Sequence, residues 1–592
     1  MLRSHRLPLL LAAVITLLNA AKPAVVDDTA YLLFARHVAA DPLHPYAFEL
    51  FWYWSPEPAM EILAPPVVPY WLAAGMKLFG EHLFLLKLWM FPFAWVLCLS
   101  VRSLTGRFAP GVETAGTVAF CLSPAVLPLM STMLDVPALA LGAAAVALFV
   151  RGCDHRHWWC VLLAGVCAAL AMQTKYTMLT VPCVIVGYAF TRLGKPRSIW
   201  ALMAAPVAVA VSVGLFAAWE WSLVQVHGQS HFLFHFKGNT GGGSVWQKVT
   251  ERFAYAPSLL GQFGGLACGV SLAASAGIGW PRGVRVVAAV AVAVLIALVC
   301  TLPYSWTTPF GEKFDLAFVT FGLCGLAVVA TAGFGLGRAV WKRLADADTL
   351  FLVGWVIVET VGMFGMTPFP AARRVIGVCL AVAVLLFHLV AKLRASSRDP
   401  QGSASKAERA PLRVAATMPR WAVGFAVGLG VLVWAIDCWD AYPEKVMAQQ
   451  AAEVAKPEPD RTVWFTGHWG FQWYCDTAGM KHLDPWGGST PMRPGDFLVT
   501  ALPPDDNWFF RPCPFSTTDK KYDVITGKRV WQDTDFFPRP DMKLELVADR
   551  VWLDPLSGQT VPNLYGGSGA TIKGRDHPRL RVAVYKVLAD WP

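Results

Sequence analysis

The chain has 592 residues, of which 55% are hydrophobic and only 15% are charged, and its mean hydropathy is +0.46. This apolar share excludes a purely soluble protein and indicates a polytopic membrane protein. The net charge of +10 does not indicate a nucleic-acid partner, because the basic residues lie in short clusters between apolar runs, as membrane topology requires.

About thirteen apolar runs approach the roughly 20 residues that a helix needs to cross a bilayer. The predicted spans cover 7–26, 83–101, 112–130, 136–151, 158–174, 177–191, 199–219, 256–280, 285–302, 316–335, 349–365, 374–391 and 419–437. Basic clusters occupy every second gap between them, which predicts a cytoplasmic N-terminus and an outer C-terminal part. The sequence thus predicts an all-α polytopic membrane domain over residues 1–437.

The start of the chain allows a second interpretation. Leu7–Ala21 is short, follows basic residues and ends in small residues, which also fits a cleavable signal peptide. Cleavage would leave Asp27 near a free N-terminus and would place that terminus and the tail on the same outer side. The charge pattern further along the chain is the same in both cases.

Two adjacent acids, Asp27 and Asp28, follow the first apolar run and begin a predicted outer loop over 22–82. Carboxylates beside a membrane segment are costly, so they indicate a functional site. One of two neighbouring carboxylates can accept a proton near neutral pH while hydrogen bonds or a cation hold the other. The spacing of apolar residues over Thr29–Ala40 predicts a short helix on the membrane surface, and Asp28 could instead be its N-cap.

Four further charged residues are predicted at outer turns. Asp135 precedes Val136-Pro137 and could share the cavity of the acid pair or simply begin a helix. Lys175 could bind the same substrate or lie among lipid phosphates. Arg373 and Arg374 run against the positive-inside trend, and their planar guanidinium groups suit a phosphate, although a salt bridge to an outer acid is the alternative.

The predicted outer loop 220–255 carries His231 and His235 at helical spacing, a pattern that could bind a metal but is weak evidence without a glutamate. The glycine run 241–243 lacks the ending of a phosphate-binding loop and favours a mobile cover over a cavity. Glu359 lies inside a predicted span and has no visible partner in the sequence. The cysteines offer no metal spacing, so we predict no metal ligands and leave a divalent cation open.

Two polar regions follow the later spans. Residues 392–418 are small, polar and basic, which predicts a flexible cytoplasmic linker. Residues 438–592 carry strand-like runs and one helix-like run, which predicts a small α/β extracytoplasmic domain. The runs are Val463–Thr466, Asp496–Ala501, Lys543–Ala548 and Leu580–Leu588 for strands and Phe471–Gly479 for the helix. Cys475 and Cys513 could form a disulfide there, with Cys438 as a third candidate.

Four stretches resemble the polytopic C-type glycosyltransferases of the protein O-mannosyltransferase and aminoarabinose-transferase group, that is, glycosyltransferase family 39 and its bacterial relatives. The stretches are Asp27-Asp28-Thr29-Ala30-Tyr31, 64–72 continuing to 78–82, Leu134-Asp135-Val136-Pro137 and Thr174-Lys175. They span roughly the first 190 residues in the order that the family has. The tail block Gly467-His468-Trp469-Gly470-Phe471-Gln472 with Tyr474 also looks like the outer domains of bacterial relatives.

The resemblance implies roles for these residues. Asp27 corresponds to the family's general base, Asp28 replaces a position that is usually Glu, and Asp135 corresponds to an acid that helps to shape the site. Ala64 replaces the family lysine that meets the donor phosphate, so Lys175, Arg373 or Arg374 is expected to take that role. Tyr31 and Tyr70 lie inside the resembling stretches and are expected to contact substrate.

The expected activity is that of an integral-membrane glycosyltransferase in a bacterial inner membrane. A hexosyl or pentosyl group would pass, with inversion, from a polyprenyl-phosphate-linked sugar to a hydroxyl of a lipid, glycan or protein acceptor on the periplasmic side. No nucleotide and no nucleic acid is expected to take part. The alternative is a transporter or flippase of a lipid-linked substrate without catalysis, which would predict repeated halves and charges near the middle of the membrane.

Overall fold

The computed structural model describes residues 2–51, 56–194, 198–240, 256–278, 305–307, 313–366, 371–397, 418–456, 460–483, 491–502, 542–554 and 577–591. The α-helices are Leu2–Ala20 (α1), Asp28–Ala40 (α2), Ala59–Ile62 (α3), Val67–Phe79 (α4), Leu83–Trp89 (α5), Phe91–Phe108 (α6), Glu113–Cys121 (α7), Asp135–His155 (α8), Trp158–Met172 (α9), Thr180–Phe190 (α10), Ser198–His227 (α11), His231–Thr240 (α12), Ala256–Ile278 (α13), Leu316–Trp341 (α14), Ala347–Met366 (α15), Ile376–Ser397 (α16), Arg420–Ala455 (α17) and Trp469–Thr477 (α18). Short 3₁₀ turns cover Tyr176–Leu179 and Ala372–Arg374. The strands are Glu49–Phe51 (β1), Pro56–Pro58 (β2), Ser305–Thr307 (β3), Lys313–Asp315 (β4), Val463–Thr466 (β5), Lys481–His482 (β6), Phe497–Leu502 (β7), Leu544–Asp554 (β8) and His577–Val587 (β9).

Eight helical stretches of the described residues are long and apolar enough to cross a membrane. They are Leu83–Phe108, Asp135–His155, Ile199–His227, Leu259–Ile278, Phe321–Trp341, Ala347–Met366, Ile376–Ser396 and Arg420–Ala455. Four shorter apolar helices accompany them: Arg6–Ala20, Val67–Phe79, Trp158–Met172 and Tyr176–Phe190. The predicted helical membrane architecture is confirmed, and the total of about thirteen spans stays a prediction.

Several predicted spans differ from the observed helices. The run predicted over 112–130 forms only the nine-residue α7, after which turns lead to α8. Pro124 and Pro128 break that run, since proline lacks the N–H that a helix interior needs. The helix α4 lies where no span was predicted, because its 13 residues are too few to cross a bilayer unaided. The span 285–302, the glycine run 241–243 and most of the linker 392–418 lie outside the described residues.

Two helices form the centre of the membrane part. The most apolar stretches of α8 and α16 are 83% and 94% buried inside the protein, whereas those of α11, α14 and α15 are only 28% buried. The helix α8 is rich in alanine, and small side chains let neighbouring helices approach closely. Because α8 begins at Asp135 and α16 begins just after Arg374, both central helices start at the candidate site.

The region after 437 contains a mixed five-stranded sheet in the order β6-β5-β7-β9-β8. The strands β5, β6 and β7 are parallel, and β9 is antiparallel to both β7 and β8. The strands β5, β7, β8 and β9 and the helix α18 overlap the predicted runs, whereas the two-residue β6 was not predicted. The helix α17 continues through the predicted boundary at 437 and packs its last turns against this sheet, with Met447, Ala448 and Ala451 in the shared core.

Candidate functional site

Asp27 and Asp28 lie at the end of a short loop between α1 and α2, residues 21–27, which we call the acid-pair loop. Asp27 is the N-cap residue of α2, yet its side chain makes no capping hydrogen bond, and Asp28 is the first residue of the helix. The preceding Val26 has φ of +42°, a left-handed conformation that a β-branched residue rarely adopts. Such strained backbone costs about 1–3 kcal/mol and tends to occur at functional sites, where the surroundings hold it in place.

Asp28 is fully buried and surrounded by donors. Its Oδ1 accepts hydrogen bonds from the hydroxyls of Ser131 and Thr132, and its Oδ2 accepts one from the Val25 N–H at 3.1 Å. The ammonium of Lys87 lies 3.6 Å from the same Oδ2. A carboxylate with so many partners is held rigidly, so Asp28 fixes the turn 131–134 against the acid-pair loop.

A second buried ion pair anchors the same loop to the last membrane helix. Lys22 Nζ lies 2.5 Å from Asp437 Oδ2 and donates to the Pro128 carbonyl at 2.7 Å. Burial lowers the pKa of Lys22, but the charge of Asp437 and the hydrogen bond to it outweigh burial and raise the pKa above its ordinary value. Lys87 Nζ donates to the carbonyls of Lys22 and Pro23 at 2.7 and 2.8 Å. The ammonium group of Lys22 therefore holds the start of the acid-pair loop, and that of Lys87 contacts both its start and Asp28 at its end.

Asp27 faces a different cation from Asp28. Its Oδ2 forms a salt bridge with Arg373, in which the two side chains are 10% and 6% exposed. Arg373 Nη1 also lies 3.5 Å from Met133 Sδ, next to the turn that holds Asp28. The salt bridge that was the alternative for Arg373 is therefore present, with Asp27 as the acid, and it joins two candidate site residues that are 346 positions apart.

Asp135 and Lys175 form the third ion pair of the site. Asp135 is the first residue of α8, with Leu134 at the N-cap position, so Asp135 both begins the helix and binds Lys175. Burial and the nearby charges of Arg374 and Arg373 lower the pKa of Lys175, although Asp135 opposes this shift. Lys175 thus contacts an acid of the site rather than lying at a lipid surface.

A small cavity of about 10 Å³, enough for about one water molecule and partly open to solvent, is lined by the Asp135–Lys175 pair and by Arg373, the partner of Asp27. Its polar lining comes from α8, α15, the turn 175–177 and the entry to α16, and its apolar lining from the 3₁₀ turn Tyr176–Leu179, α15 and α16. The polar lining residues are Asp135, Lys175, Thr177, Glu359, Arg373 and Arg374, and the apolar ones include Met178, Met363, Ile376 and Val378. Three basic side chains therefore converge on one cavity beside Asp27.

Other predicted residues lie elsewhere. The Tyr70 hydroxyl donates to the Pro42 carbonyl at 2.6 Å, and Tyr31 packs against a small apolar cluster that includes Val26. Neither tyrosine lines the cavity. Glu359 does line it, and its Oε1 accepts hydrogen bonds from Trp355 and Thr180 at 3.2 and 3.4 Å.

His231 belongs to a separate buried network. Its ring nitrogens meet the Tyr176 hydroxyl at 2.7 Å and the Leu63 carbonyl at 2.9 Å. Burial lowers its pKa well below 6.5, which keeps the ring neutral. Both nitrogens contact protein groups, and the described residues contain no group of three His, Cys, Asp or Glu side chains suited to a metal ion. Cys475 is a buried free thiol, whereas Cys513 lies outside the described residues.

Three buried charged residues that support the candidate site were not identified from the sequence: Lys22, Lys87 and Asp437. All three lie inside predicted apolar spans, and an ionisable residue there is a candidate for a functional site. That signal could have identified them, but their partners are distant in the chain. Only the folded structure brings Lys22 to Asp437 and Lys87 to Asp28.

Comparison with known proteins agrees with the resemblance seen in the sequence. Residues 64–221 match the family described as dolichyl-phosphate-mannose-protein mannosyltransferase. The match covers about a quarter of the chain and includes Asp135 and Lys175, but it ends before Arg373 and begins after the acid pair. The predicted resemblance to this group is confirmed. A search of curated proteins found no match.

Several solved structures are similar to this chain. The archaeal oligosaccharyltransferase AglB from Archaeoglobus fulgidus, in complex with an inhibitory peptide and a dolichol-phosphate, is 14% identical with a TM-score of 0.45, over 81% of this chain and 64% of that one. The oligosaccharyltransferase of the same organism in complex with Zn and sulfate is 13% identical with a TM-score of 0.46, over 83% and 68%. ArnT from Cupriavidus metallidurans bound to undecaprenyl phosphate is 13% identical with a TM-score of 0.36, over 84% and 92%. The chain thus spans just under two thirds of the length of AglB.

Proposed function

We propose that this protein is a membrane glycosyltransferase that moves a sugar from a polyprenyl-phosphate donor to an acceptor hydroxyl on the outer side of a bacterial inner membrane. The observation that carries the proposal is the position of Arg373, which pairs with Asp27 and also lines the cavity with Lys175 and Arg374. Arg373 therefore contacts the candidate base and is itself one of the three candidate phosphate ligands. The matched family is named for a donor of the same chemical class.

The donor would bind with its phosphate against the three basic side chains of the cavity. Arginine offers a planar fork that suits phosphate oxygens, and lysine offers a compact charge. Because the cavity has room for about one water molecule, it would have to widen for the donor, and Met178, Met363 and Ile376 would then line the path of the first isoprenoid unit. This arrangement would supply the phosphate contact that the family lysine makes and that Ala64 cannot make.

Asp27 would act as the general base. As the acceptor oxygen bonds to the anomeric carbon, Asp27 would take the hydroxyl proton, and the bond from that carbon to the phosphate oxygen would break with inversion. The leaving polyprenyl phosphate gains one negative charge, which Lys175, Arg373 and Arg374 would stabilise. A hexosyl and a pentosyl donor are both compatible with this scheme.

The pairing of Arg373 with Asp27 implies an order of binding. With Asp27 only 10% exposed, an acceptor hydroxyl has little access to its carboxylate while Arg373 covers it. A bound phosphate would attract the guanidinium and uncover a carboxylate oxygen. Donor would therefore bind before acceptor, and the base would stay covered in the absence of donor.

Asp28 and Asp135 would have positioning roles in this scheme. Asp28 would hold the acid-pair loop against Ser131 and Thr132, and Asp135 would orient Lys175 toward the cavity. Tyr31 and Tyr70 remain proposed substrate contacts on the acceptor side of the catalytic loop 22–82. The N-terminus would lie in the cytoplasm and the domain after 437 in the periplasm.

The test is a transfer assay with membranes that contain the wild type, Asp27→Asn or Asp41→Asn. Asp41 belongs to the same loop and its side chain is 45% exposed, so it serves as the matched control. Radiolabelled polyprenyl-phosphate-linked mannose and pentose would be supplied, and loss of label from the lipid would be measured. We expect loss in the wild type and in Asp41→Asn but not in Asp27→Asn. Movement of intact labelled lipid across the membrane without loss of label would instead support the transporter alternative.

A further inference from the structure

The helix α18 of the outer domain lies directly on the loop that carries Asp27. The backbone N–H of Ala24 donates to the Tyr474 hydroxyl at 2.9 Å, on the N-terminal side of the acid pair. On the other side, the Thr29 hydroxyl donates to the Trp469 carbonyl at 2.5 Å. The two contacts lie on either side of Asp27 and Asp28, although they join positions 440 or more residues apart.

The approach of the two segments depends on a glycine. A Cβ atom added to Gly470 would lie 2.4 Å from the Ala24 carbonyl oxygen and 2.3 Å from Glu444 Oε2. Position 470 therefore has no room for a side chain, because non-bonded atoms do not approach so closely. Glu444, on α17, accepts hydrogen bonds from the backbone N–H groups of Gly470 and Phe471. The carboxylate thus holds the first turn of α18 against the acid-pair loop.

The strained part of the loop is covered by the same helix. Val25 and Val26 are buried with Met133 and Ala441 in a small apolar cluster, and Trp469 packs against it. Trp469 itself has φ of +59°, so non-glycine residues on both sides of the contact adopt a left-handed backbone. Surrounding contacts must offset the cost of such backbone, and here Trp469 of the outer domain contributes to them together with Met133 and Ala441.

The catalytic loop 22–82 meets α18 at two further points. Gln472 Nε2 donates to the Phe51 carbonyl at 3.1 Å, and Arg36 Nη1 pairs with Asp476 at 2.6 Å. The guanidinium of Arg36 also lies 5.3 Å from the Trp473 ring centroid. One face of a nine-residue helix thus contacts the loop before, beside and after the acid pair.

We propose that α18 is a positioning element of the active site, and that Tyr474 and Gly470 are positioning residues for Asp27. The outer domain would hold the loop in the conformation in which Asp27 faces Arg373, so that turnover depends on a domain that supplies no reacting group. This inference rests on the proposed function. It differs from a purely structural role because loosening the loop should slow the reaction without weakening donor binding.

The first variant is Tyr474→Phe, which removes only the hydroxyl that accepts from the Ala24 N–H. Tyr585→Phe is the matched control, since Tyr585 lies on β9 in a different apolar cluster of the outer domain. We expect Tyr474→Phe to lower kcat about tenfold while KM for the donor stays within twofold, because a displaced catalytic group costs rate rather than donor affinity. Gly470→Ala should lower kcat further, with Gly424→Ala, where a Cβ meets open space, as its control.

A second readout does not depend on activity. Hydrogen–deuterium exchange of the segment 22–31 should become faster in Tyr474→Phe and stay unchanged in Tyr585→Phe. Faster exchange with unchanged kcat would overturn the positioning role while leaving the proposed function intact. Unchanged exchange with unchanged kcat would overturn it as well. Full activity of Asp27→Asn in the same assay would overturn the proposed function, and the positioning role with it.

Discussion

Arg373→Met removes the cation that the Asp27 carboxylate faces, at a site where both side chains are at most 10% exposed. Breaking one partner of a buried ion pair costs about 3–5 kcal/mol of unfolding free energy, because the remaining charge stays buried. Asp27→Asn should cost less, about 1–3 kcal/mol, since an amide keeps the shape and can still accept a hydrogen bond from Arg373.

The double variant distinguishes the pair from two separate effects. If Asp27 and Arg373 interact directly, the cost of Asp27→Asn together with Arg373→Met should be smaller than the sum of the single costs by about 1–3 kcal/mol. The assay is reversible unfolding of the purified protein in mixed micelles, followed by tryptophan fluorescence. The exposed pair of Arg581 and Asp549 is the control, with an expected coupling below about 1 kcal/mol. Additivity within about 0.5 kcal/mol for Asp27 and Arg373 would refute the pairing.

Three further variants test the roles of Asp28, Lys175 and His468. Asp28→Asn should lower the unfolding free energy by about 1–3 kcal/mol, because an amide cannot accept all the hydrogen bonds that Asp28 accepts; an unchanged unfolding curve would contradict its anchoring role. Lys175→Met should weaken binding of radiolabelled undecaprenyl phosphate about tenfold or more, with Lys175→Arg binding more tightly than Lys175→Met; equal binding by wild type and Lys175→Met would remove Lys175 from the phosphate site. His468, whose pKa burial lowers to about 4, should charge on unfolding, so stability is complete above pH 6.5 and falls as the pH drops from 6.5 toward 4. Because His468 is half-buried, the expected loss is about 1–2 kcal/mol, and His468→Gln, measured by unfolding at each pH, should lose less.

The sequence indicated candidate site residues but not their arrangement. Asp27, Asp135, Lys175, Arg373 and Arg374 were found because charges at the ends of apolar runs are costly, and the structure brings all five to one place. Their pairing was not predictable, since Asp27 and Arg373 are far apart in the chain and three basic residues were equivalent candidates. The spacing of apolar residues along the chain does not indicate which distant side chains will form a pair.

The contacts that hold the acid-pair loop in place were likewise not predictable from the sequence. The tail block around Trp469 and Tyr474 attracted attention only through its resemblance to bacterial relatives, and nothing in its spacing indicated contact with Ala24 or Thr29. Helix lengths were also misjudged where prolines or tertiary contacts decide them. The run 112–130 breaks after Cys121, and α17 continues beyond Asp437 because its outer turns pack on the sheet.

The most direct test of the central claim is the single-turnover rate of Asp27→Asn with the active donor already bound. A general base contributes about 10²–10⁴-fold to the rate, so the variant should bind undecaprenyl phosphate as the wild type does and transfer the sugar at least about a hundredfold more slowly. A single-turnover rate within twofold of the wild type, at equal donor occupancy, would contradict the assignment of Asp27 as the base.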